Sequence, residues 1–252
     1  MFNAILWGLI QGLTEFLPVS SSGHLVLIPA LLGREGPDLA TNAMLHLGTL
    51  GAVLVYYRSD IADMAKFDRA GRRMISLIVI GSIPAVILGF AFKDKVEELI
   101  DEPRIVAVML IVTGIILLLT KLIRVGTKTI THIGPLDSLL IGLAQATALI
   151  PGISRSGMTI STGLTRGMNR TDAARFAFLL GIPVIAGAGL LGLIDVVTSD
   201  VGVPATVWVG VVVAGLAGYA AIAFLLRVLT HVGLGPFGIY CVAFGSLSLV
   251  LL

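Results

Sequence analysis

The sequence predicts an all-α integral membrane protein built from two related halves. Of its 252 residues, 56% are hydrophobic and only 13% are charged, and the mean hydropathy is +1.01. A soluble domain carries about 25% charged residues, so this composition excludes an ordinary soluble enzyme. The apolar residues form runs separated by short polar loops, whereas a transmembrane barrel would alternate apolar and polar residues. A second observation is that one polar motif occurs twice, once in each half.

The motif occurs first at residues 8–25, GLIQGLTEFLPVSSSGHL, and returns at residues 142–159, GLAQATALIPGISRSGMT. At a spacing of 134 residues, Gly8, Leu9, Gln11, Ser20, Ser22 and Gly23 match Gly142, Leu143, Gln145, Ser154, Ser156 and Gly157. Further along the chain, Pro103 and Pro236 keep almost the same register. We therefore expect a single membrane domain, 1–252, with a first repeat over 1–125 and a second over 135–252.

Each copy of the motif holds two apolar segments that are too short to cross a bilayer. Residues 3–16 would form roughly 21 Å of helix, and the hydrocarbon core is about 30 Å thick. Pro18 and the serines interrupt the chain before a second run at 22–32. Two such helices predict a re-entrant hairpin, which is tolerated only inside protein or beside a cavity. One bent crossing helix is the alternative.

Three longer apolar runs follow each hairpin and predict six transmembrane helices. They cover residues 41–57, 74–92, 104–123, 176–194, 206–226 and 237–252. Because three is an odd number, the second half must start from the opposite face of the membrane. The fold class is therefore an inverted-topology repeat, each half a re-entrant helix hairpin plus three transmembrane helices.

The basic residues predict the orientation. The loops 58–73, 121–134, 166–175 and 227–231 hold 12 Lys or Arg residues, and the opposite face holds four. Positive loops face the cytoplasm, so we expect a multi-pass protein of the cell membrane with both termini outside. These basic residues lie in short loops between apolar runs. The lipid bilayer is therefore the expected partner, and no nucleic acid is expected.

Two charged residues lie inside the motif, Glu15 in the first copy and Arg155 in the second. A charge at membrane depth costs at least about 2.5 kcal/mol and usually marks a function. The alternative is a structural ion pair that locks the two hairpins together. The guanidinium of Arg155 suits phosphate oxygens, and His24 can donate or accept a proton near neutral pH. Another imidazole, His46, lies in the first crossing and is interpreted as a hydrogen-bonded structural residue.

The neighbouring serines favour a phosphate site. Ser20 or Ser21, and Ser154 in the second copy, are placed to cap the helix that follows. Two helix N-termini that meet would offer free N–H groups and positive dipole ends to an anion. The expected phosphate ligands from these motifs are Arg155, Ser20, Ser22, Ser154 and Ser156. Gln11 and Glu15 lie on one helix face, and their oxygens could hold Mg²⁺ or Ca²⁺ together with substrate phosphates.

These motifs resemble a known family. The segments QGLTEFLPVSSSGH and PGISRSGMT are similar to those of the undecaprenyl-diphosphate phosphatases of the BacA (UppP) type. The resemblance extends to GSIPAVILG at 81–89 and to the chain length and helix layout. It implies a membrane phosphatase that converts undecaprenyl diphosphate to the monophosphate. It also implies recycling of this lipid carrier for cell-wall glycan synthesis and resistance to bacitracin, which sequesters the diphosphate.

By motif position, the resemblance implies the active-site residues Glu15, Ser21, His24, Arg155 and Thr159. Gln11 occupies a position that is often glutamate in the family, which weakens the case for a metal site with two carboxylates. Arg155 and Thr159 would hold phosphate, and Ser21 is the candidate nucleophile with His24 as its base or as the acid for the leaving group. Whether a serine, a histidine or water attacks stays open at this point.

Two other classes of function are alternatives to hydrolysis of a polyprenyl diphosphate. A lipid-phosphate flippase or transporter would fit inverted repeats with broken helices. It gives no reason why the two motif copies differ in their acidic, basic and imidazole residues. A structural scaffold would not explain Glu15 and Arg155. The expected partner is the polyprenyl diphosphate substrate, and a homodimer is left open.

Overall fold

The computed structural model describes residues 1–198 and 205–252, and the regular structure of this part is helical. It contains α1 (Phe2–Phe16), α2 (Ser21–Leu31), α3 (Leu39–Tyr56), α4 (Arg58–Ala65), α5 (Arg69–Ala91), α6 (Lys93–Ile100), α7 (Pro103–Leu119), α8 (Pro135–Thr147), α9 (Arg155–Thr165), α10 (Arg170–Thr198), α11 (Ala205–His231) and α12 (Gly235–Leu251). Short 3₁₀ turns cover Thr120–Leu122 and Ile130–His132. The predicted all-α class is confirmed.

Four helices in the described ranges are long and apolar enough to span a membrane. They are α5, α7 with its 3₁₀ extension, the first part of α10 (Arg170–Leu190) and α11, with mean hydropathies of 2.4, 2.6, 1.8 and 2.3. The predicted crossings 41–57 and 237–252 correspond to α3 and α12, whose apolar stretches Ala40–Tyr56 and Gly235–Leu251 are shorter. The protein is therefore a membrane protein with at least four potential spanning helices.

The short helices α4 and α6 were not predicted, because both lie in charged segments that were interpreted as loops. The starts of five longer helices follow common capping and proline rules. Asp38 and Asp68 accept the N–H groups of Thr41 and Gly71 at the starts of α3 and α5, as N-cap residues do. A proline in the first turn, where its missing N–H costs nothing, begins α7, α8 and α12.

The short helices α1 and α8 each pack closely against a long helix. A Cβ atom at Gly8 of α1 would lie 2.5 Å from the carbonyl oxygen of Gly210 in α11. A Cβ atom at Gly142 of α8 would overlap the carbonyl oxygen of Gly81 in α5. Glycine is therefore required at both crossings, since it lets the two backbones touch. The first motif is thus held by a helix from the second half of the chain, and the second motif by a helix from the first half.

An ion cluster fixes the start of α8, outside the four helices long enough to span a membrane. Asp137 is buried and accepts hydrogen bonds from the Gly134 N–H at 2.8 Å, from Arg166 Nε at 2.8 Å and from Lys128. Burial alone would raise the pKa of Asp137, but these donors outweigh it and lower the pKa to about 2. The ionised carboxylate therefore ties the loop after α7 and the end of α9 to the start of α8.

Candidate active site

The turns of the two motifs contact each other inside the protein. The Ser156 hydroxyl of the second motif donates to the Leu17 carbonyl of the first at 3.1 Å. Thr113 of α7 supports the second turn, since its hydroxyl donates to the Gly152 carbonyl at 3.0 Å and accepts the Ser154 N–H at 3.1 Å. Residues 20–22 at the start of α2 and residues 154–155 at the start of α9 line the same cavity. The meeting of two helix N-termini, on which the expected anion site depends, is thus present.

Glu15, near the end of α1, is the centre of this contact and is only 8% exposed. Its Oε2 atom accepts hydrogen bonds from Ser21 Oγ at 2.7 Å and from Gln11 Nε2 at 3.0 Å. Its Oε1 atom forms an ion pair with Arg155 Nη2 at 2.9 Å. The two buried charges are thus direct partners. A carboxylate that already accepts the hydrogen bond of a hydroxyl is well placed to take its proton.

The Arg155 guanidinium fills a space that a glycine leaves open. Its Nη1 atom is buried without a hydrogen-bond partner in the described part of the chain. It lies against Gly181 of α10, where an added Cβ atom would overlap Nη1. Gly181 was not predicted to belong to the site, because its only signal in the sequence is a glycine two residues before Pro183 in an apolar helix. Gly181 allows Arg155 to reach Glu15.

His46 of α3 also belongs to the site. Its Nδ1 atom donates to the Asn42 carbonyl at 2.9 Å, and its Nε2 atom lies 3.8 Å from Glu15 Oε2. The side chain is 21% exposed and lines the same cavity as Glu15. The prediction that His46 is hydrogen-bonded agrees with its Asn42 contact. Its place in the cavity wall beside Glu15 was not predicted. The available signal was an ionisable side chain within an apolar run.

His24 lies behind the turn and does not line the cavity. Its Nδ1 atom donates to the Ser20 carbonyl at 2.8 Å, so its Nε2 atom accepts from the Tyr240 hydroxyl at 2.7 Å. The ring also stacks on Tyr240 and Phe244 of α12, with centroid distances of 5.6 and 5.0 Å. Both nitrogens of His24 are therefore engaged away from the Ser21 hydroxyl.

The remaining predicted phosphate ligands divide into two groups. Ser20, Ser22 and Ser154 line the cavity. Ser20 and Ser154 also accept the Gly23 and Gly157 N–H groups as helix caps. Ser156 and Thr159 are buried and do not line it; Thr159 donates to the Arg155 carbonyl at 2.8 Å. Ser20 has φ of 68°, a conformation that is rare outside glycine and often found at functional turns.

The cavity is lined by both polar and apolar side chains. Its volume is about 150 Å³, which is room for several waters, since a single water needs about 10–15 Å³ of such volume. The polar lining includes Glu15, Ser21, His46 and Arg155. The apolar lining includes Ala85, Leu149, Ile153, Val184, Ile185 and Ala188. This arrangement suits an amphipathic ligand with an anionic group at one end.

The residues beside Glu15 fit a divalent cation only when a phosphate shares it. No group of three His, Cys, Asp or Glu side chains placed to hold a metal occurs within 1–198 and 205–252. Gln11 Oε1 is nevertheless a buried oxygen with no hydrogen-bond partner among the described residues. Mg²⁺ is commonly held by one or two carboxylates plus substrate phosphates. Gln11 and Glu15 could supply the protein ligands of such an ion.

Nearly the whole chain matches one known family. A family model described as bacitracin resistance protein BacA matches residues 4–247. The chain belongs to this family. An undecaprenyl-diphosphatase of Nocardioides sp. is 44% identical, with 99% of this chain and 95% of that protein covered. Proteins of the same name from Alcanivorax borkumensis and Halothermothrix orenii are 42% and 40% identical, covering 97% and 100% of this chain and 96% and 98% of their own lengths. The resemblance seen in the two motifs is confirmed.

Proposed function

We propose that this BacA-family protein is an undecaprenyl-diphosphate phosphatase of the cell membrane. It hydrolyses the lipid diphosphate to the monophosphate and phosphate, which recycles the carrier for cell-wall synthesis and confers bacitracin resistance. The observation that carries this proposal is the buried group in which Glu15 Oε2 accepts from Ser21 Oγ at 2.7 Å while Glu15 Oε1 pairs with Arg155 at 2.9 Å. Acid, hydroxyl and guanidinium thereby meet beside two helix N-termini, as phosphoryl transfer requires.

In the proposed reaction, the terminal phosphate lies between the N-termini of α2 and α9. Free N–H groups and the Arg155 guanidinium stabilise the charge that develops on its oxygens, which is usually the largest catalytic contribution. Ser156 and Thr159 support this site from behind through their contacts with Leu17 and the Arg155 carbonyl. Binding of phosphate would draw Arg155 partly away from Glu15 and leave the carboxylate freer to accept a proton.

The Ser21 hydroxyl is the proposed nucleophile. Its oxygen attacks the terminal phosphorus, its proton passes to Glu15, and the bond to the bridging oxygen breaks, so that the lipid monophosphate leaves. Water then cleaves the phosphoserine, which releases phosphate and restores the hydroxyl. Direct attack by water with Glu15 as its base is the alternative. His24 as a base stays a prediction, and its bonds to Ser20 and Tyr240 support a positioning role for the turn that carries Ser21.

Gln11 and Glu15 are the residues that would hold a divalent cation, Mg²⁺ or Ca²⁺, together with the substrate phosphates. When bound, it would neutralise part of the phosphate charge. The unpartnered Gln11 Oε1 atom supports this assignment. None of the steps assigned above to Ser21, Glu15 and Arg155 depends on the ion.

We further propose that the two halves are inverted repeats, each with a re-entrant hairpin. The packing supports this, because α1 lies on α11 as α8 lies on α5, and the matching helices α3 and α10, and α7 and α12, pack on each other. The basic loops favour an orientation with both termini outside.

We expect a cysteine at Lys66 to react with a membrane-impermeant thiol reagent only from the cytoplasm, and one at Glu98 only from outside. The background is Cys241→Ala, and reaction of both positions from one side would contradict this model.

Purified protein should release phosphate from undecaprenyl diphosphate in detergent, where no bilayer remains to be crossed. The measurement is phosphate release with Mg²⁺, with Ca²⁺ and after chelation with EDTA. A flippase would release none in detergent but would move labelled lipid phosphate between the leaflets of a vesicle. That result would replace the hydrolase by the transporter, whereas full activity in EDTA would remove only the cation.

A further inference from the structure

Gln145 of α8 is a buried polar residue of the cavity wall. Its side chain is 2% exposed, and neither Oε1 nor Nε2 has a hydrogen bond within the described ranges. It lines the cavity together with Glu15 and Arg155. Leaving a buried amide unpaired costs free energy, so such a group needs an explanation. A ligand that enters the cavity would supply the missing partner.

The matching residue of the first motif explains why Gln145 is unpaired. Gln11 Nε2 donates to Glu15, four residues later on the same helix. The residue four positions after Gln145 is Leu149, which offers no acceptor. The amide of the first copy therefore holds the Glu15 carboxylate, whereas the amide of the second copy has no hydrogen bond among the residues that the structure describes.

The position of Gln145 indicates which part of a substrate it would meet. Ala148 and Leu149 follow Gln145 by three and four residues, in the turn just after α8 ends at Thr147. Both of these apolar residues line the cavity, as does Ala85 of α5, the helix on which α8 packs. Gln145 is thus the polar member of a wall formed by α8, the turn after it and α5, whereas Ser21 and Glu15 belong to the first motif. A prenyl diphosphate bound with its terminal phosphate at Ser21 would direct its other phosphate and the lipid chain towards this wall.

We propose that Gln145 binds the lipid-linked phosphate of the prenyl diphosphate, so that it recognises the group that stays on the lipid. This inference rests on the proposed hydrolysis. The amide Nε2 would donate to an oxygen of that phosphate, and a hydrogen bond to a charged group is stronger than one between neutral groups. Because the lipid monophosphate product retains this phosphate, Gln145 would bind the product as well. Inorganic phosphate, which derives from the terminal group, would not depend on Gln145.

The test compares product inhibition of the parent and the Gln145→Leu variant. We expect the inhibition constant of undecaprenyl monophosphate, and the KM for the diphosphate, to rise about tenfold or more, in keeping with loss of a hydrogen bond to a charged group. The inhibition constant of inorganic phosphate should change less than about twofold. Gln145→Glu should weaken binding of the monophosphate still further, because its carboxylate repels phosphate.

The control is Ser161→Ala, which removes another buried, unpartnered polar group from α9 that does not line the cavity. It should leave both inhibition constants unchanged. If Gln145 were only structural, Gln145→Leu would raise the melting temperature without changing either constant, and the proposal would be overturned. An equal loss for both inhibitors would assign Gln145 to the terminal phosphate instead. If the parent released no phosphate, the hydrolase would fail, and direct binding of the lipid monophosphate would still decide the role of Gln145.

Discussion

Replacing Ser21 by alanine should lower kcat for phosphate release by about a thousandfold or more. The site then lacks the oxygen that attacks the terminal phosphorus. Binding of the prenyl diphosphate should persist, since the lipid chain and Arg155 supply most of the ground-state affinity. The measurement is kcat for phosphate release together with the dissociation constant of the substrate. Ser161→Ala, a buried serine outside the cavity lining, is the matched control and should retain the parent kcat.

Acid quenching distinguishes the two attacking groups. If the Ser21 oxygen attacks, a phosphoenzyme accumulates in the parent and is found on the peptide that contains Ser21. A large loss of kcat in Ser21→Ala without any phosphoenzyme in the parent would assign the attack to water beside Glu15. A kcat near that of the parent would remove Ser21 from the mechanism.

Changing Arg155 to lysine should reduce kcat by about 100-fold to 1000-fold, the range measured for loss of one donor to a developing oxyanion. An ammonium group carries the charge but cannot replace the planar fork that contacts phosphate oxygens.

The competing interpretation is that Arg155 only stabilises the fold by pairing with Glu15. In that case Arg155→Ala should destabilise the protein strongly by leaving a buried carboxylate unpaired, and the double variant with Glu15→Gln should recover both stability and activity. We expect the double variant to recover stability alone.

Gly181 allows the same assignment to be tested without changing the charge. Gly181→Ala should displace the guanidinium, because the new Cβ atom would overlap Nη1. We expect kcat to fall by about 100-fold, in line with loss of a correctly placed donor. Gly187→Ala on the same helix is the control, since no atom lies within 4 Å of its added Cβ. Equal effects of the two substitutions would attribute the loss to α10 itself and not to the position of Arg155.

Much of the fold could be predicted because a bilayer imposes simple rules on a sequence. Long apolar runs can span it only as helices, and this rule predicted α5, α7, α10 and α11. Pro103 and Pro236 were correctly predicted to begin helices, and the serine turns did separate two short helices in each motif. The helices α4 and α6 were missed because they lie in charged segments without a long apolar run.

The sequence by itself was enough to select the two charged candidates for the site. Glu15 and Arg155 could be selected because a buried charge is expensive in an apolar chain and needs a partner. A structural ion pair between the two hairpins was the alternative interpretation of these charges. In the structure Glu15 and Arg155, 140 residues apart in the chain, do form an ion pair beside the cavity.

Only the tertiary structure decided which imidazole and which amide face the cavity. His24 and His46 are both histidines in apolar segments, and the rotation and packing of α2 and α3 turn His46 towards Glu15 and His24 towards Tyr240. Gln11 and Gln145 match in sequence, yet Gln145 lines the cavity whereas Gln11 does not and donates to Glu15 instead. The need for glycine at 181 likewise depends on an arginine 26 positions earlier in the chain, at residue 155. Each of these outcomes depends on how the faces of separate helices pack against each other. The local sequence pattern does not specify that packing.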